Sequence, residues 1–109
     1  MNSTHHLAVY CTCPDENTAE GIAQTLVDEG LSACINVVPS VRSVYRWQGK
    51  TEATTESLMI IKIAVSNYEK IEQRIVELHP YELPEVIGVP IIAGLEPYLA
   101  WLTQPEKES

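Results

Sequence analysis

Cys11-Thr12-Cys13 sets two thiols two residues apart, and His79-Pro80-Tyr81-Glu82-Leu83-Pro84-Glu85 joins an imidazole to two carboxylates in a proline-stiffened segment. In extended chain, residues at i and i+2 face the same side, so Cys11 and Cys13 can offer two soft donors to copper or zinc. The competing reading is that both thiols fill a core, where free cysteine usually sits. Cys34 stands alone and reads as core. His79 can ligate a metal through a neutral ring nitrogen. It can equally end a helix, held by the last carbonyls and the dipole, and the residues alone favour that. Glu85 is open between ligand, hydrogen-bond acceptor and surface charge. Tyr45 and Trp47 flank Arg46 and share a face, which suits a subunit interface better than a stacking surface for a planar or cationic ligand. His5-His6 reads as a terminal pair outside the fold.

The elements that must position these residues follow from pattern. Leu7–Cys13 is an apolar run stopped by Pro14, a buried strand. Over Asp15–Gly30, the residues Ala19, Ile22, Ala23, Leu26 and Val27 form one helical stripe, with acids at its start and Gly30 at its end. Ala33–Tyr45 is rich in β-branched residues, and Pro39 inside it predicts a bulge or an edge. Gln48-Gly49-Lys50 signals a turn, and Glu56–Val65 a second strand, so the two pair as a hairpin. Ser66 and Glu69 match a capping box ahead of the stripe Ile71, Ile75, Leu78, and Pro80 ends that helix. Val86–Ala93 is a last strand with Pro90 marking an edge. Pro97 opens a short helix over Glu96–Thr103.

The order β-α-β-β-α-β predicts an α+β, ferredoxin-like fold: a four-stranded antiparallel sheet with two main helices on one face and a short C-terminal helix. The chain reads as a single domain over residues 1–109, with a core over 7–103 and polar tails at 1–4 and 104–109. The strands are apolar nearly throughout, so the second sheet face calls for a cover, most simply another copy of the chain. No Gly-rich phosphate loop and no nucleophile elbow is present. Acylphosphatases share the arrangement but need a Gly-rich anion loop and an Arg near the first strand. Here Cys-Thr-Cys-Pro-Asp-Glu would repel a phosphate. No catalytic residue is expected.

With 109 residues, 45% of them hydrophobic, the chain is the size of one domain and has little room for a deep pocket of its own. Its formal charge of −8 argues against nucleic acid and against anionic membrane surfaces. An odd count of three cysteines and a polar start without a signal-peptide pattern predict a cytoplasmic protein with reduced thiols.

The segments Cys11–Glu16, Leu31–Asn36, Val44–Lys50, His79–Ile87 and Pro97–Trp101 together resemble the CutA divalent-cation tolerance family, over about Leu7 to Thr103. The W-x-G-K and H-P-Y-E-x-P-E segments carry most of that likeness. The resemblance implies a homotrimer with PII-like architecture and a response to metal ions rather than a reaction. It implies copper or another divalent ion at positions matching Cys11 and His79; Glu85 is added as a weaker candidate ligand, and the fold does not need the ion. Some members carry a second histidine where this chain has Leu78, and an aromatic residue where it has Arg46. The alternative implied is a PII-like small-molecule module, with a cleft between subunits lined by Tyr45, Trp47, Lys50, Tyr81 and Glu82.

Overall fold

The apolar run at the start of the chain becomes β1 (His6–Cys13), whose Val9, Cys11 and Cys13 are buried on one face. A computed structural model describes residues 5–103; the expected tails lie outside that range. Asp15 caps α1 (Glu16–Asp28), its carboxylate accepting from the Thr18 N–H at 2.8 Å. The stripe lays Ala19, Ile22, Ala23 and Leu26 against the sheet. Gly30 follows with φ 77°, the left-handed conformation that ends many helices.

The hairpin is longer than the sequence suggests. β2 spans Cys34–Trp47 and β3 spans Lys50–Ala64, so Trp47 pairs with Lys50 across a two-residue loop. Gln48 (φ 51°) and Gly49 (φ 82°) both take the positive φ that such a turn requires. Register shifts between Val38 and Val41, around Pro39 as expected. The next helix differs from expectation. Val65–Asn67 is a 3₁₀ turn, α2 runs Tyr68–Leu78, and no side chain caps its start. Ser66 is taken up inside that turn, one position too early to cap, so the capping box does not form.

β4 is trimmed to Ile87–Pro90, and α3 spans Glu96–Thr103 as read from Pro97. The strand order is β2-β3-β1-β4, all neighbours antiparallel, which leaves β4 with its Pro90 at an edge. This is the ferredoxin-like α+β arrangement. α1 and α2 close one face, with Ile71 and Ile75 of α2 packing over Val9, Met59, Ile61 and Ile63 of the sheet.

Three details depart from the sequence reading. His6 is no terminal tail: it opens β1, and its Nε2 lies 3.1 Å from the Leu99 carbonyl. α3 reaches over one end of the second sheet face, where Lys62 donates to the Tyr98 hydroxyl at 3.2 Å. Cys34, expected in the core, is only partly buried and lies opposite Lys62.

Candidate functional site

Alternation along β1 sorts the Cys-Thr-Cys segment into two neighbouring sites. Cys11 and Cys13 turn inward, fully buried, while Thr12 faces the other side. α2 ends at Leu78, and His79, as its C-terminal cap, drops its ring onto the same inner spot. The two sulfurs and a ring nitrogen all lie within 4.8 Å of one another. His79 is 7% exposed and hydrogen-bonded at both ring nitrogens. Nδ1 accepts from the Tyr81 N–H at 3.1 Å, which leaves Nε2–H to donate to the Thr12 carbonyl at 2.8 Å. The imidazole therefore fastens the loop to β1, a different role from the carbonyl-held helix terminus read in the sequence.

The thiols share their protons unequally. The adjacent Cys13, burial, and the negative charges of Glu85 and Glu56 push Cys11 well above the ordinary thiol range, while its S–H donates to the Thr12 carbonyl at 3.8 Å. Cys13 is lowered by its neighbour Cys11, against burial and the charges of Glu56 and Asp15.

Two sulfurs and an imidazole, buried and without a carboxylate among them, suit a soft cation and not a hard one such as magnesium. Ligation by His79 Nδ1 would exchange the Tyr81 N–H bond for a metal bond. Glu85 stands apart from this cluster. It lies 3.5 Å from Thr12 Oγ1 on the other side of the strand, and Cys13 stands with Cys11 and His79 in the cluster.

On that other side the hairpin arm and the 79–85 loop enclose a groove of about 830 Å³. Tyr45, Trp47, Tyr81 and Glu82 line it, as does Glu85; Lys50 does not, being at the hairpin turn. Tyr45 and Trp47 are 41% and 47% exposed in the single chain. The residue that sequence reasoning missed is Glu56. It lines the groove at 8% exposure, with Oε2 accepting from the Tyr81 hydroxyl at 2.6 Å. Burial, then the bond to Glu56, pushes the Tyr81 phenol well above its ordinary value, so it stays a donor. The ring of Tyr81 tilts 52° to that of His79 with centroids 4.7 Å apart. One loop thus connects the buried thiol cluster to the groove.

Comparison with known proteins gives a consistent result. The profile of the family described as CutA1 divalent ion tolerance protein matches residues 7–105. A Thermus thermophilus protein named divalent-cation tolerance protein CutA is 42% identical over 96 residues, 88% of this chain and 93% of its own length. A Xenopus laevis protein, named Protein CutA homolog, is 44% identical over 95 residues, 87% of this chain; the match spans only 63% of that relative's length. The crystal structure of CutA1 from Oryza sativa superposes with a TM-score of 0.91 at 36% identity, covering 98% of each chain. None of these names is that of an enzyme.

Proposed function

Because the chain belongs to the CutA1 divalent ion tolerance protein family, we propose that it serves cation tolerance by holding a soft metal ion, copper first, at Cys11, Cys13 and His79. The carrying observation is that these three side chains converge within 4.8 Å in a buried spot. Copper(I) is favoured over zinc and magnesium because the set holds two sulfurs. The reading assigns binding, not catalysis. It is tested by competition titration of copper(I), zinc and magnesium against the parent, Cys11→Ser and Cys13→Ser. The expected order is copper, zinc, magnesium, with both variants weaker for copper. Equal copper affinity in all three proteins would refute it.

The proposal includes a homotrimer. Ile87, Ile92, Leu95 and Trp101 are 50%, 90%, 73% and 43% exposed around β4 and α3, beside a sheet face that α3 covers only at one end. Surface of this kind is characteristic of subunit contacts. Light scattering should give three chains per particle, and a monomer would refute the assembly. A reducing, cytoplasmic setting accords with three unpaired cysteines; cell fractionation tests it.

The groove favours a second reading, a small-molecule site. It combines three rings with a carboxylate that is almost wholly buried, Glu56. The titration described in the next subsection decides whether it binds anything.

A further inference from the structure

The chemistry of the groove narrows what it would take. Its walls carry the rings of Tyr45, Trp47 and Tyr81 and the carboxylates of Glu56, Glu82 and Glu85, and no Lys, Arg or His lines it. Arg42 stands beside it without lining it, its Nη1 donating to the hydroxyl of the lining Thr55 at 3.0 Å. Glu56 is the distinctive group. Burying a carboxylate is costly unless it is paired, yet its one hydrogen-bond partner among the described residues is the neutral Tyr81 hydroxyl, on Oε2. Its other oxygen takes no bond there and belongs to a side chain that lines the groove. A cationic group on an apolar frame would complete this arrangement, with its charge on Glu56 and its frame on the aromatic faces.

We infer that the groove binds an organic ammonium ion and disfavours phosphate- or carboxylate-bearing ligands. This rests on the small-molecule reading of the same groove and adds the ligand's charge. It also sets the groove apart from the anion-binding sites that basic side chains and Gly-rich loops build. A carboxylate or phosphate entering here would meet three like charges and no basic lining residue.

The test uses three probes with the same ring: benzylamine, benzyl alcohol and benzoate. Each is titrated into the full chain at low ionic strength while NMR follows the Trp47 indole N–H, told apart from Trp101 by a Trp47→Phe variant. Benzylamine should bind tightest and shift Trp47. Glu56→Gln keeps an oxygen for the Tyr81 bond but removes the charge, and should weaken benzylamine about tenfold with benzyl alcohol unmoved. Glu82→Gln, at an exposed lining position, is the second variant should the first fail to fold, and should weaken benzylamine in the same direction. Glu20→Gln, exposed on α1 away from the groove, should match the parent.

Benzoate or benzyl alcohol binding as tightly as benzylamine, with Trp47 shifted, would overturn the charge preference and leave the small-molecule reading standing. An equal loss in Glu20→Gln and Glu56→Gln would trace the attraction to net charge and also overturn the inference. If no probe moves Trp47, the inference and the small-molecule reading fall together.

Discussion

Replacing Tyr81 with Phe removes one oxygen and leaves the Glu56 carboxylate, 8% exposed, without its hydrogen-bond donor. The bond is short, 2.6 Å, and the acceptor is a carboxylate. Losing a partner of that kind costs about 2 kcal/mol, within the range for hydrogen bonds to charged groups. With a urea dependence of about 1.5 kcal/mol/M for a domain of this size, the midpoint should fall by roughly 1.3 M at fixed protein concentration. Adding Glu56→Leu to Tyr81→Phe should restore much of the loss, because an apolar pair leaves no buried charge unpartnered. The pH dependence has a definite sign. The folded phenol lies above its ordinary value of 10.0, so above that pH the unfolded chain loses this proton first. The contribution is therefore full below the ordinary value and declines as pH rises through the folded one. Tyr81→Phe should flatten this alkaline decline. A midpoint change under about 0.3 M, or a double variant less stable than Tyr81→Phe alone, would refute the role given to the Glu56–Tyr81 pair.

Four further outcomes are expected. Gly30→Ala should cost about 1 kcal/mol because φ there is 77°, although nothing lies within 4 Å of the added carbon. Gly21→Ala, inside α1 with equally open space, should stabilise by about 0.5–1 kcal/mol, so urea melts of the two variants should move in opposite directions. Asp15→Ala should lower the melting temperature near neutral pH. Asp15 is lowered by its bond to the Thr18 N–H, so its contribution is present above its ordinary value of 3.8 and is lost as pH falls through the folded one. Trp47→Ala should cost less than about 3 kcal/mol wherever the ring stays half open, as it is in the single chain, and should approach that figure if a neighbouring subunit covers it; melts at several protein concentrations separate the two.

The two main helices and the sheet order were legible because their cause is local: a stripe at Ala19–Leu26, β-branched runs, a turn at Gln48-Gly49, prolines at the ends. The outer half of the hairpin was not. Thr51-Glu52-Ala53-Thr54-Thr55 is exposed throughout and carries no apolar alternation, since its pairing comes from the register with β2. For the same reason Glu56 reads as one more polar residue of that stretch, and only the fold shows it at the foot of a groove. The thiol pair was visible from its spacing, but His79 joins it across 67 residues, through a bond to the Thr12 carbonyl that no local pattern announces. The capping box at Ser66 misled because a 3₁₀ turn takes up the residues that would have formed it.

The strand order also sets a sequence of events in folding. β2 and β3 adjoin through two residues and can zip together early, since closing so short a loop costs little entropy. β4 has only four residues and pairs with β1 from the opposite end of the chain, Leu7 against Pro90. Its pairing closes a far longer loop than the hairpin's, at a larger entropic cost. Until that pairing forms, the open side of β1 is an exposed edge able to recruit a strand from another nascent chain. The pairing that closes the longest loop in this sheet is thus made by its shortest strand, and an edge left open there is where chains would join.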